Sequence, residues 1–320
     1  MTALKKPRRT DDPWDLTERP HTKAKLRLLG DYFGRWLTIW NAPKQRGWAS
    51  SDWYVIDLFA GQGVYADGDA KVSGSPLVYL EQIARVGSKL ETNGIRVHLL
   101  LVELNPKNYE MLKNHVAEFM EAHSEVKEIV DIKLMKSNCN SPDVWSEISS
   151  LPLISNTPLF MLIDPYGFQI QRQTMDRLVA VDAATDILFN YMVSGVKRAQ
   201  GIASKPEEQL TQRERTTLTT YAHFLGKDVT LDEDAESPQE YANAVFGSRG
   251  FYVVAYDMDY PDRVGTLYYL LFVTKNRKIA DMARKMFGGA KKQNYAGQLR
   301  LGDTEQFTAE ITFFAPDGAA

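Results

Sequence analysis

Apolar positions recur every three to four residues at Leu26, Leu29, Phe33, Leu37 and Trp40, the spacing of one face of an amphipathic helix. Thr22 stands where a cap is wanted, so the pattern predicts a helix over roughly 22–40. Short apolar runs follow at Trp53 to Leu58, Val97 to Val102, Asp131 to Met135, Leu159 to Ile163 and Ile187 to Tyr191. Helix-length segments separate them, which predicts a mostly parallel sheet with crossover helices.

After Tyr191 a largely helical stretch continues to about Gly250. Two runs, Phe251 to Tyr256 and Leu267 to Thr274, then lie only ten residues apart, too close for a helical crossover. They predict an antiparallel pair closing a seven-stranded sheet, and the alternating run Ala309 to Phe314 predicts one further strand. The expected organisation is a tail and helix over 1–45, a core over 46–194 and 250–320, and a helical insertion over 195–249. The insertion carries the acidic cluster Asp228, Asp232, Glu233, Asp234 and Glu236.

Composition narrows the class. Of 320 residues, 44% are hydrophobic, ample for a sizeable core and against a disordered chain. The net charge of −3 argues against a general polyanion binder, so any nucleic-acid contact must use a local basic patch. Cys139 is the only cysteine, which excludes an intramolecular disulfide framework and a four-cysteine site built by this chain alone. With no leader-like start and no long uncharged apolar stretch, the expectation is a soluble cytoplasmic protein.

Three strand ends carry groups suited to a ligand. Asp57-Leu58-Phe59-Ala60-Gly61-Gln62-Gly63 is a strand entering a glycine turn. Gly61 and Gly63 permit positive φ and a close approach to backbone, at the sheet edge where ligands of such folds bind; a plain structural turn is the alternative. Glu103 ends the next run and can accept both hydroxyls of a ribose, or can simply cap the helix that follows. Its distance from Asp57 requires an elaborated connection, supplied by Asp67-Gly68-Asp69 and Ser73-Gly74-Ser75-Pro76, with Ser75 placed to cap a helix opened by Pro76. Asp164-Pro165-Tyr166-Gly167 adds an acid to accept from an amine and a ring to stack on a planar group. A fourth strand end contributes Asn138 near an adenine ring, while Cys139 reads as a small buried residue.

These motifs resemble motifs I, II and IV of class I S-adenosylmethionine-dependent methyltransferases, and the closing antiparallel pair fits that Rossmann-like α/β fold. More narrowly, the chain resembles the three-Cys-motif partner proteins over roughly 20–290. That match rests on His21-Thr22 with Lys25, Ser73-Gly74-Ser75-Pro76, Asp164-Pro165-Tyr166-Gly167, Asp186-Ile187-Leu188-Phe189-Asn190 and Tyr268 to Thr274. The resemblance implies S-adenosylmethionine as cofactor, held by Asp57, Phe59, Gly61, Gly63, Glu103 and Asn138. Asp164 and Tyr166 would serve as the catalytic pair facing the acceptor. It also implies an iron-sulfur partner protein that bears the three cysteines. Asn138 stands where such enzymes often carry an acid, and one proline is missing from the amino-methylating pattern. Asn138 before Cys139, in place of a Pro-Cys nucleophile, makes covalent cytosine-C5 chemistry a poor fit.

Residues 275–300 hold Lys275, Arg277, Lys278, Arg284, Lys285, Lys291, Lys292 and Arg300 against Asp281, with Phe287 and Tyr295 interleaved. Such a segment could neutralise phosphates and stack bases, with Arg284, Lys285, Lys291 and Lys292 as its core; a solvated helix face opposite Ile279, Met282 and Met286 is the alternative. The five histidines show no metal-ligand spacing, and no Gly-x-Ser-x-Gly elbow is present. Two fingerprint glycines instead of three disfavour a dinucleotide oxidoreductase. The expected function is methyl transfer in nucleic-acid or nucleotide modification; the alternative is a non-catalytic nucleotide- or substrate-binding subunit of the iron-sulfur enzyme.

Overall fold

The computed structural model describes residues 14–17, 19–227, 237–259, 265–293 and 311–314. The first helix, α1 (Pro20–Gln45), starts two residues before Thr22, so Thr22 lies inside the first turn and does not cap it. Proline suits that opening position because its missing N–H has no partner to lose there.

The parallel core consists of β1 (Asp52–Asp57), β4 (Arg96–Glu103), β5 (Val130–Lys136), β6 (Pro158–Ile163) and β7 (Ala184–Tyr191). Their crossovers carry α2 (Ser75–Thr92), α3 (Pro106–Ala122), α4 (Pro142–Ser150) and α5 (Arg172–Val179). After β7 come α6 (Val193–Ala203), α7 (Gln212–Leu225) and α8 (Pro238–Phe246), then β8 (Tyr252–Asp259), β9 (Thr266–Thr274), α9 (Arg277–Gln293) and β10 (Ile311–Phe314). The sheet order is β10-β8-β9-β7-β6-β1-β4-β5. The expected seven strands are therefore joined by the further strand at one edge.

The closing pair differs in detail from the simplest expectation. β9 runs antiparallel to both β7 and β8, so it inserts between them and β8 points the same way as β7. Stripped of β10, the order and the single reversed β9 are those of the Rossmann-like class I methyltransferase fold. Residues 65–75 also hold more structure than a plain connection: β2 (Val64–Asp67) and β3 (Ala70–Ser73) form a hairpin, turned by Gly68 at φ 59°, the left-handed conformation that an Asp-Gly pair supplies.

Alternation along the strands feeds two apolar layers. Trp53, Val55, Leu99, Leu101, Phe160 and Phe272 face α1, α2, α3 and α9. Tyr54, Ile56, Leu100, Met161, Phe189 and Leu271 face α4 to α8. Tyr221, Phe224, Tyr241 and Phe246, from the stretch expected to be an insertion, belong to this second layer; its acidic cluster at 228–236 lies outside the described residues. No helix among the described residues is long and apolar enough to cross a membrane.

One buried polar contact seats α1. Asp186 Oδ2 accepts from Trp36 Nε1 at 2.7 Å and Trp40 Nε1 at 3.3 Å, and burial pushes this carboxyl up to about 6. Indole donors solve the burial problem for Asp186, and Asp186 solves it for them.

Candidate functional site

The carboxyl ends of β1, β4, β5, β6 and β7 line one edge of the sheet. The chain winds outward from β1 through β4 to β5, then crosses back to β6 on the other side of β1. The winding therefore reverses at β1, which opens a crevice at the tips of β4, β1 and β6.

Asp57 ends β1 fully buried. Its Oδ2 accepts from Ser75 Oγ at 2.6 Å and Tyr79 OH at 3.3 Å, and its Oδ1 accepts from Phe59 N at 3.0 Å. Burial raises its pKa to about 7, opposed by those hydrogen bonds and assisted by repulsion from Asp164. Asp57 thus holds the turn together from inside rather than presenting a free carboxylate. Ser75 explains the difference from the expected cap: Gly74 is the N-cap of α2, and the serine hydroxyl turns to Asp57.

Gly61 and Gly63 adopt φ 67° and 86°, where a side chain strains the backbone. The space a Cβ would take is already filled by this chain. At Gly61 it would lie 2.6 Å from Trp14 Cη2, and at Gly63 it would lie 3.2 Å from Leu112 Cδ1. The expected open approach to both glycines is corrected accordingly: the indole of Trp14 covers one and α3 backs the other. His115 donates from Nδ1 to the Gln62 carbonyl at 2.8 Å and braces the turn.

Glu103 ties the second strand tip to the first. Its Oε2 accepts from Gly61 N at 2.9 Å and its Oε1 from Asn105 N at 2.7 Å. Each oxygen retains lone-pair capacity for another donor, and the side chain is only partly buried. Leu104 beside it is 56% exposed. Asn105, not Glu103, caps α3, accepting from Lys107 N and Asn108 N. At the end of β5, Asn138 is exposed, and its Oδ1 accepts from Asn140 N at 2.9 Å. Burial pushes the Cys139 thiol up to about 12, so it is no nucleophile.

Across β1, Asp164 follows β6. Its Oδ2 accepts from Lys25 Nζ of α1, and its Oδ1 accepts from Asn190 Nδ2 at 2.7 Å. Lys25 Nζ also stands 5.9 Å from the ring centroid of Tyr268, whose hydroxyl donates to the His21 carbonyl at 3.3 Å. Asn190 is 5% exposed, and its Oδ1 meets no donor among the described residues. Tyr166 is 84% exposed, and its backbone N–H donates to Gln169 Oε1 at 3.0 Å.

His21, Lys25, Asp164, Asn190 and Tyr268 come from four separated stretches of sequence that share only the family resemblance, and folding gathers them at one strand end. Sequence reasoning gave Lys25 and Asn190 no role. Their signal was the resemblance itself, since neither stands in a motif with its own chemistry. The basic segment fares differently. Arg284 pairs with Asp281 at 2.7 Å, Lys275 Nζ lies 4.9 Å from the Phe251 ring centroid, and Lys285 is exposed. Ile279 is buried against the core, as the solvated-face alternative requires. Lys291 and Lys292 fall in the last turn of α9, with side chains outside the described residues; Tyr295 and Arg300 lie outside them altogether.

The edge fits a nucleoside-bearing cofactor in its donor set. A carboxylate with spare acceptor capacity, an exposed apolar side chain and an exposed amide stand on adjacent strand tips, with Glu103 in register beside Lys136. No group of three His, Cys, Asp or Glu side chains among the described residues could hold a metal ion.

The strand order is that of the class I methyltransferase fold, and the edge described lies at the strand ends where that order reverses. No protein-family model matches the chain, and no curated protein matches it, so nothing in these comparisons shows the three-Cys-motif partner family. Among solved structures, a protein from Legionella pneumophila is 11% identical over 90% of this chain and 95% of its own, with a TM-score of 0.44. The citrinin polyketide synthase CMeT domain is 10% identical over 71% of this chain, with a TM-score of 0.35; this chain spans about half its length, 48%. Precorrin-6y C5,15-methyltransferase from Geobacter metallireducens is 14% identical over 74% and 87%, with a TM-score of 0.31. These likenesses stand beside the strand order and add no argument to it.

Proposed function

We propose that the protein binds S-adenosylmethionine at the tips of β1, β4 and β5 and transfers its methyl group in nucleic-acid or nucleotide modification. The observation that carries the reading is the Glu103 carboxylate. It is fixed at the strand tip by Gly61 N and Asn105 N, beside the reversal of winding, with capacity left for the two hydroxyls of a ribose. The methionine arm then runs from that ribose toward the tip of β6, past the glycine turn that Trp14 and α3 cover, and Leu104 and Asn138 flank the base.

Bound there, the cofactor supplies an electrophilic methyl group on a sulfonium. The chain's own task is to hold the acceptor in line with it. Asp164, oriented by Lys25 and Asn190, is the acceptor's hydrogen-bond partner, and the exposed Tyr166 is available to stack on a planar group. The family resemblance adds an iron-sulfur partner that brings the three cysteines, in keeping with the single cysteine here. The exposed Lys285, with Arg284, Lys291 and Lys292, forms the nucleic-acid contact in this reading.

One observation favours the second reading, a non-catalytic binding subunit: the Lys25 ammonium already occupies Asp164. Calorimetric titration with S-adenosylmethionine and S-adenosylhomocysteine tests the first. Binding is expected for the wild type, and Glu103→Ala should weaken it by about 10- to 100-fold, the worth of hydrogen bonds to a charged group. Equal affinity in that variant would overturn the ribose assignment, and binding without methyl transfer to any nucleic acid tried with the partner present would favour the second reading.

A further inference from the structure

Tyr65 has no part in the expected site, yet the chain goes to some length to place it. It lies on β2 of the hairpin, which residues 14–17 brace as a short strap. Ala66 N donates to the Trp14 carbonyl at 2.8 Å, and Leu16 N, from a fully buried residue, donates to the Ala66 carbonyl at 2.7 Å. Lys23 of α1 bonds Asp67 at the hairpin's other end at 2.6 Å. The phenol ring is thereby fixed 5.0 Å from the indole of Trp14 and against Gly74, where a Cβ would lie 3.3 Å from Tyr65 Cε2. Gly74 N donates to the Gly63 carbonyl at 2.7 Å, and the next residue, Ser75, is the one that bonds Asp57. The hairpin therefore holds its tyrosine beside the tip of β1.

Other phenols of the region spend their hydroxyls inside the protein, Tyr79 on Asp57 and Tyr268 on the His21 carbonyl. Tyr65 does not. It is only partly buried, and among the described residues its hydroxyl makes no hydrogen bond and is not sealed from solvent as the unpartnered Tyr32 hydroxyl is. Its surroundings are charged. Burial raises its pKa above the ordinary phenol value, and the charges of Asp164 and Asp57 add to this, opposed by Arg19, with a smaller push from Glu103. The hydroxyl is therefore neutral and lies in the field of acids from the tips of β6, β1 and β4. Arg19, partly buried just before α1, forms no ion pair among the described residues. An uncommitted hydroxyl near these acids and an unpaired guanidinium suits a ligand end that carries both charges, and an α-amino acid is such an end. Resting on the proposed reading of the cofactor, we propose that Tyr65 and Arg19 bind the amino-acid end of the methionine arm, the phenol oxygen accepting from the ammonium and Arg19 donating to the carboxylate. S-adenosylmethionine and S-adenosylhomocysteine share that end, so this subsite anchors cofactor and product alike and does not read the methyl group.

The test is calorimetric affinity for S-adenosylhomocysteine and for methylthioadenosine, the nucleoside thioether whose sulfur bears a methyl in place of the amino-acid arm. The proteins are the full-length wild type, Tyr65→Phe and Arg19→Gln. Tyr65→Phe keeps the ring on Trp14 and Gly74 and removes only the hydroxyl. It should weaken S-adenosylhomocysteine by about 10- to 100-fold, the worth of a hydrogen bond to a charged group, and leave methylthioadenosine within about twofold. Arg19→Gln should show the same split. Unchanged affinity for S-adenosylhomocysteine in Tyr65→Phe, or equal loss of both ligands, overturns the proposal, and so does a wild type that binds methylthioadenosine as tightly as S-adenosylhomocysteine. The thermal midpoint without ligand should be the same in Tyr65→Phe and the wild type; a fall would show the hydroxyl bonded within the protein and overturn the proposal likewise. A wild type that binds neither ligand refutes the cofactor reading itself, and this inference with it.

Discussion

Replacing Asp57 by asparagine should flatten the pH dependence of stability by a predictable amount. The carboxyl titrates near its ordinary 3.8 in the unfolded chain and at about 7 in the folded one, because burial disfavours its charge more than Ser75, Tyr79 and Phe59 N favour it. The folded protein therefore binds this proton more tightly than the unfolded chain. The stabilisation is complete below the unfolded value and is lost as pH rises through the folded one. The slope is about 1.4 kcal/mol per unit near pH 5 and falls to half that at pH 7, so the loss between pH 5 and 8 is about 2.6 kcal/mol. Asp186, raised to about 6, adds a smaller fall between pH 5 and 6 that both proteins share. The side-chain amide of the Asp57→Asn variant retains an oxygen for Phe59 N and can donate to the Ser75 hydroxyl, so the turn survives. Urea unfolding at pH 5, 6.5 and 8 should show the wild type losing about 2.6 kcal/mol more than Asp57→Asn across that range. Parallel pH curves for the two proteins would refute the assignment of the buried proton to Asp57.

Two further changes test the packing at the glycine turn and beneath α1. Gly61→Ala puts a methyl 2.6 Å from the indole of Trp14 at φ 67°, and should cost about 1–3 kcal/mol of unfolding free energy for the strained backbone alone; adding Trp14→Ala should restore only the steric part, as a double-mutant cycle would show. Asp186→Ala leaves the Trp36 and Trp40 indoles without their acceptor and should cost about 2–5 kcal/mol by denaturant titration, two orphaned donors' worth. A loss well under that would mean the indoles find other partners.

Most of the architecture was legible from spacing because each parallel strand is a continuous apolar run bounded by helix-length gaps, and β1, β4, β6 and β7 are buried on both faces. The hairpin at 64–73 was less visible: its strands are short and half-exposed, so little apolar alternation marks them, although Asp67-Gly68 gave the turn. The direction of β8 was hidden for a different reason. A short link between two strands fixes their mutual orientation and says nothing about which of them lies next to β7. Asp57, Glu103 and Asp164 were legible as strand-tip acids because each closes or follows an apolar run. Their partners were not. Ser75, Lys25 and Asn190 reach their carboxylates across 18, 139 and 26 residues, and Trp14 meets Gly61 through a strap with no periodic pattern. Pairings of this kind follow from tertiary packing, which local residue chemistry does not encode.

The placement of β9 between β7 and β8 has a bearing on biosynthesis. β8 leaves the ribosome before β9, but its lateral neighbour in the sheet has yet to be made, so it cannot add to the growing core when it emerges. The free side of β7 stays open over the same interval, and such edges invite pairing with other chains. Trp36 and Trp40, translated early, close onto Asp186 at the start of β7 and are sealed only when Thr274 arrives opposite it. Pairing of β8 to the rest of the sheet therefore waits on the stretch Thr266–Thr274, which bonds β7 on one side and β8 on the other.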